Sequence, residues 1–117
     1  MEIHEIGRAY LTEDKDIMKL EIHQKYLDGL HGIENLKQIY MLYWMHQLNE
    51  EDRKRLKVHP RGNKDRPLTG VFALRSPMRP NPIGLTLVEL VKREGNNLYV
   101  KGLDALDGTP IIDIKKV

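Results

Sequence analysis

Short β-favouring runs separated by turn residues predict a mainly β protein, an all-β barrel or sandwich with short helical turns. Three observations carry that expectation. Several segments alternate apolar and polar residues, bounded by Gly, Pro and Asn clusters. The most apolar run is short and rich in aromatic and β-favouring residues. Strands do not alternate with long helices, and neither a G-x-G-x-x-G turn nor a P-loop is present, which disfavours a Rossmann-type site.

The elements follow in order. Residues 2–11 read as a first strand interrupted by Gly7. Residues 17–24 alternate through Ile17, Lys19, Leu20, Glu21, Ile22 and His23 and predict a second. Residues 26–36, with two glycines among apolar positions, predict a turn with a short helix. The run 38–48, Q-I-Y-M-L-Y-W-M-H-Q-L, predicts a buried central strand, a core helix being the alternative. Alternation puts Tyr40, Leu42 and Trp44 on one face and Ile39, Met41, Tyr43 and Met45 on the other, both apolar, as between two packed layers. Residues 50–66 are a loop by composition. Strands are expected at 69–75, 84–93, 98–103 and 111–115, with E-G-N-N as the hairpin turn between the third- and second-last.

A chain of 117 residues is expected to form one domain, residues 1–117, with a modest core that a homodimer would supplement. It has no cysteine, so thiolate metal sites and disulfides are excluded. The five histidines lack metal spacing, and no metal site is expected. No apolar run approaches membrane-spanning length and M-E-I-H-E-I-G is no signal peptide, so the expectation is a cytoplasmic protein without membrane contact.

The net charge of +2 hides an asymmetry. Residues 1–52 carry five Lys or Arg against eleven Asp or Glu, whereas residues 53–79 carry nine against one. Arg53, Lys54, Arg55, Lys57 and Arg61 open the basic block, which continues through Lys64 and Arg66 to Arg75 and Arg79. Such a block suits RNA phosphates; a solvated basic surface, or a partner for the acidic half, is the alternative.

The densest chemistry lies in G-V-F-A-L-R-S-P-M-R-P-N-P-I-G, residues 70–84, with three of the six prolines. Proline fixes its own φ and restricts its predecessor, so this loop is close to rigid. Arg75 and Arg79 can each offer a planar fork to a carboxylate or phosphate, or tie the loop to an acidic neighbour. Asn81 can read a base edge or close its own turn. A second cluster, L-D-A-L-D-G-T-P-I-I-D-I-K (103–115), holds Asp104, Asp107 and Asp113; these suit a general base or hydroxyl binding, while Asp107 before Gly108 also suits a turn. His46 and Gln47 form a polar pair at the end of the apolar run, His46 being a base, a ligand donor or a core histidine.

Three blocks resemble the TsaA-like (YaeB) family: L-Y-W-M-H-Q (42–47), G-V-F-A-L-R-S-P-M-R-P-N-P-I-G-L (70–85) and L-D-A-L-D-G-T-P-I-I-D-I-K (103–115). Characterised members are tRNA (adenine(37)-N6)-methyltransferases acting on N6-threonylcarbamoyladenosine. The resemblance implies a single small β-barrel and a homodimer with S-adenosylmethionine near the subunit interface. By matching positions it implies that His46, Gln47, Arg75, Leu85, Asp104, Ala105, Leu106 and Asp107 contact the cofactor. Arg79, Asn81, Asp113 and Lys115 are implied on the substrate side. Asp107 or His46 would be the catalytic base, and Arg53, Lys54, Arg55, Lys57 and Arg61 would hold phosphates of the anticodon stem-loop. Residues 9–16 read A-Y-L-T-E-D-K-D where members carry S-P-[YF]-K. The alternative is a non-catalytic RNA- or nucleotide-binding β-barrel module.

Overall fold

The computed structural model describes residues 1–117. In chain order the strands are β1 (Gly7–Leu11), β2 (Ile17–Ile22), β3 (Gln38–Trp44), β4 (Lys57–Val58), β5 (Thr69–Gly70), β6 (Ile83–Glu94), β7 (Asn97–Lys101) and β8 (Thr109–Lys116). The chain divides into two compact units, Met1–Trp44 with Leu85–Val117, and Met45–Gly84.

The first unit is a closed barrel in the order β1-β2-β7-β6-β3-β8. Alternation builds it. Met18, Leu20 and Ile22 of β2 point inward beside Leu98 and Val100 of β7, while Lys19 and Glu21 point away. Ala9, Ile39, Met41, Val88 and Ile111 complete the interior from the other strands. Each fully buried Leu, Ile, Val or Met side chain contributes on the order of 1.5–3 kcal/mol. Closure leaves no free sheet edge.

β3 departs from the expected two-layer burial. Ile39 and Met41 are buried, but Tyr40, Leu42 and Trp44 are half-buried, because a barrel strand has a single interior face. Two bulges adjust the inward pattern. In β8, Leu42 pairs with Asp113 and Tyr43 with Ile111, leaving Ile112 unpaired. The extra residue lets Ile111 and Ile114 both serve the core although they are three apart. It also turns Asp113 and Lys115 together onto the other face. In β6 the register shifts between Leu90 and Lys92.

β1 starts at Gly7, not at residue 2. Gly7 pairs with Ile22 on one side and Ile111 on the other. A Cβ there would collide with the Glu21 carbonyl oxygen, so the residue that interrupts the sequence pattern is what the close strand approach requires. The hairpin between β6 and β7 turns on Gly95 and Asn96, with Gly95 at φ 61°, as a primed turn requires. Asn96 is fixed by its side-chain Nδ2, which donates to the Ile22 carbonyl at 2.7 Å.

The expected turn with a short helix at 26–36 is two 3-10 segments, Gln24–Leu30 and Ile33–Asn35. Leu30 joins the core, flanked by Tyr26, Leu27, Ile33 and Leu36.

The second unit contains the largest departures. Residues 50–66 are not all loop: helix α1 (Glu50–Arg53) opens the segment, with Asn49 and Asp52 forming a capping box. β4 follows and pairs antiparallel with β5. The strand expected at 69–75 lasts only through Gly70, because two-residue β4 offers no longer ladder. Val71–Ala73 then forms a 3-10 turn, with Val71 buried. No helix of the chain is long and apolar enough to cross a membrane.

Candidate functional site

Hydrogen bonds tie the 70–84 segment down at several residues. Arg79 donates from Nε to the Ser76 carbonyl at 2.7 Å and from Nη2 to the Val71 and Leu74 carbonyls at 2.6 and 2.7 Å. The Ser76 hydroxyl accepts from the Met78 N–H at 3.2 Å. Pro82 is buried and its carbonyl accepts the Met45 N–H at 2.8 Å. Arg53 reaches the Pro80 carbonyl from Nε at 2.9 Å. The rigidity expected from proline therefore comes as much from these two arginines.

What the loop leaves exposed is informative. Arg75 projects into solvent with no ion pair or hydrogen bond. Asn81 is exposed, and its carbonyl, not its amide, closes a tight turn by accepting the Ile83 N–H at 2.7 Å. Phe72, the single phenylalanine, is 80% exposed.

His46 and Gln47 follow β3 in an exposed turn. Gln47 Nε2 lies 3.2 Å from His46 Nε2.

In the barrel unit, the 104–107 segment is anchored to the end of β1. Asp107 Oδ1 accepts the Leu11 N–H at 2.9 Å, and the Gly108 N–H donates to the Ala9 carbonyl at 2.7 Å. Asp107 is therefore a tether between segments, and its second oxygen remains available. Gly108 at φ 80° reverses the chain into β8. Asp104 is exposed and lines a shallow depression of about 560 Å³ with Lys15, Asp16, Glu89 and Lys101. Leu85 and Leu106 are 42% and 57% exposed, apolar surface without a cover. Ala105 packs against the core. Asp113 pairs with Lys115 at 3.3 Å and lines a separate cleft of about 540 Å³ beside Tyr26 and Lys116.

The basic block separates into two groups. Arg53 and Lys54 pair with Glu50 and Glu51 across one turn of α1, at 3.2 and 3.4 Å. Arg55, Lys57 and Arg61 line an open cleft of about 960 Å³ in the second unit, together with Lys64, Arg66 and Arg75. No carboxylate lines it, and Leu68, Leu74 and Met78 form apolar wall. Lys64 and Arg66, the continuation of the same charge run, belong to this lining as well. Leu68 and Met78 carried no signal, since an isolated apolar residue in a polar loop is ordinary.

Residues 4–117 match the family model described as the tRNA-methyltransferase O N-terminal domain. An S-adenosyl-L-methionine-binding protein of Archaeoglobus fulgidus is 51% identical over 100 residues, covering 86% of this chain and 68% of that protein. A tRNA (adenine(37)-N6)-methyltransferase of Mus musculus is 44% identical over 109 residues, covering 93% of this chain and 24% of the mouse protein. Among solved structures, one titled TrmO superposes with a TM-score of 0.76 at 30% identity, covering all of this chain and 57% of that one. A TrmO from Pseudomonas aeruginosa gives 0.73 at 26%, covering all of this chain and 55% of that one. The chain thus spans just over half the length of these TrmO structures. The profile match over nearly every residue, together with the archaeal likeness, means that the chain belongs to the tRNA-methyltransferase O N-terminal domain family.

Proposed function

We propose that the chain is an S-adenosylmethionine-dependent methyltransferase that N6-methylates threonylcarbamoyladenosine at position 37 of tRNA. The observation that carries the reading is the 44% identity, over 93% of this chain, to the mouse tRNA (adenine(37)-N6)-methyltransferase. The archaeal relative named for S-adenosyl-L-methionine binding supports the cofactor. A single family model running through both compact units supports treating residues 1–117 as one functional domain.

The donor set fits that cofactor. An exposed guanidinium without a partner, Arg75, suits a carboxylate. Asp104 and the second oxygen of Asp107 suit amino and hydroxyl groups, and exposed Leu85 and Leu106 suit a purine face. The assignment is completed by His46, Gln47 and Ala105. When bound, the cofactor supplies an electrophilic methyl carbon next to a sulfonium.

The chain's own residues then have two tasks. They would hold the N6 nitrogen for the transfer, where positioning supplies much of the acceleration. They would also accept the N6 proton that methylation releases. Asp107 through its free oxygen, or His46 once Gln47 releases Nε2, is the base. Asn81 is the exposed amide for the modified adenosine, and Arg79 holds its loop in shape for that contact. The family resemblance also puts Asp113 and Lys115 on the substrate side, although Asp113 lines a cleft separate from the depression at Asp104. Arg55, Lys57 and Arg61, with Arg53 and Lys54 beside α1, face the phosphates of the anticodon stem-loop. A homodimer and a cytoplasmic location belong to this reading.

Calorimetric titration with S-adenosylmethionine tests it. Wild-type protein binds, and Arg75→Ala loses at least ten-fold in affinity, about 1.4 kcal/mol, with unchanged thermal stability. No binding at millimolar cofactor contradicts the enzyme reading and leaves a binding module.

A further inference from the structure

The cationic cleft of the second unit is held by a turn with an unusual backbone. Arg61 is the only non-glycine residue at positive φ, 54°, and Gly62 follows at 68°. A left-handed Arg costs free energy that an ordinary surface turn would avoid. The turn is cross-braced. His59 Nδ1 donates to the Arg66 carbonyl at 2.8 Å, the Arg66 N–H donates to the Asn63 carbonyl at 3.0 Å, and Asn63 Oδ1 accepts the Asp65 N–H at 2.9 Å. The result is a closed turn that sets Arg61, Lys64 and Arg66 on the cleft, while Asp65, its single acid, is not part of the lining. Cationic rim and apolar wall occur together here, with Leu68 58% exposed. Phosphate alone would need only the rim, and an apolar ligand only the wall.

We propose that this cleft binds an unpaired stretch of RNA, with phosphates on Arg61, Lys64 and Arg66 and a nucleoside face against Leu68 and Met78. The proposal rests on the RNA reading above and adds to it a place and a preference. Duplex RNA buries its base faces in stacking and cannot use the wall; a single strand can present both parts at once. A volume of about 960 Å³ is ample for one nucleotide.

Fluorescence anisotropy with a labelled single-stranded RNA decamer and the matching duplex, at several salt concentrations, tests it. The single strand binds more tightly than the duplex. Arg61→Gly, which keeps the left-handed backbone, and Lys64→Gln each reduce the slope of log affinity against log salt by about 0.7. Leu68→Asn lowers single-strand affinity roughly five-fold with the salt slope unchanged, since it removes apolar contact and no charge. Asp65→Asn changes neither slope nor single-strand preference. If wild-type protein binds neither RNA, the RNA reading of the function itself fails. If it binds RNA but the slope ignores Arg61→Gly and Lys64→Gln, the cleft is overturned and the RNA reading survives. Duplex binding equal to single-strand binding, with Leu68→Asn silent, also overturns the proposal.

Discussion

Arg75 and Arg79 are four positions apart in one loop, yet their surroundings give them opposite tasks. Arg79 is half-buried and its Nε and Nη2 are committed to three backbone carbonyls, whereas Arg75 stands in solvent with no partner. Hydrogen bonds from a charged donor contribute about 1.5–3 kcal/mol each, and acceptors left behind in a partly buried loop add a penalty. Arg79→Ala therefore destabilises the protein by about 3 kcal/mol or more. Urea unfolding reads that loss, and hydrogen exchange shows the Leu74 amide, which donates to the Val71 carbonyl, opening faster. Arg79→Lys restores little, because an ammonium cannot fork to carbonyls on two sides. Unchanged stability in both variants would contradict the role. The sequence identified the loop but not this division, which depends on where three carbonyls converge. Asp107 was similarly half-legible: its turn was foreseen, but its tether to the Leu11 N–H, 96 positions earlier, was not.

At the scale of elements, alternation made the barrel strands readable wherever a long partner stood beside them. β2, β7 and the long β6 lie close to their expected spans. The failures lie where pairing partners are short or absent. Residues 2–6 extend the apolar pattern of β1, but the strand begins at Gly7, where β2 and β8 flank it. The segment preceding it is held by Ile6, whose N–H donates to the Ile111 carbonyl and whose carbonyl accepts the His23 N–H, both at 2.9 Å, and by the side chain of Glu5. That carboxylate accepts from Arg8 Nη2 at 2.9 Å and lies 2.7 Å from His23 Nε2 just beyond β2. The hydrogen bond from Arg8 is the main cause that holds Glu5 below its ordinary value of 4.5, partly opposed by burial and helped by His23. A carboxylate depressed in the folded state adds stability that is fully present above pH 4.5 and is lost as pH falls through the lower folded value. Glu5→Gln is accordingly destabilised against wild type at pH 7, and the gap narrows at an acid pH below 4.5. Urea midpoints at the two pH values check this; a gap of equal size at both would show that the ion pairs do not hold the segment.

At the scale of the whole molecule, fold class and family were legible because the two long motif blocks and the strand pattern are both local in sequence. The proposed cofactor residues were legible only as a set: His46, Gln47, Arg75 and Asn81 belong to one compact unit and Leu85 and residues 104–107 to the other. The charge asymmetry was also plain in sequence, but a run of cations says nothing of which ones pair with their own helix. α1 takes Arg53 and Lys54 into local ion pairs and leaves Arg55, Lys57 and Arg61 to the cleft. The central claim is methyl transfer to tRNA. The direct measurement incubates the purified chain with methyl-tritiated S-adenosylmethionine and tRNA carrying threonylcarbamoyladenosine, then maps the label by nucleoside analysis. The account predicts label on N6 of threonylcarbamoyladenosine 37, dependent on Arg75. Cofactor binding with no label on any tRNA nucleoside would contradict it.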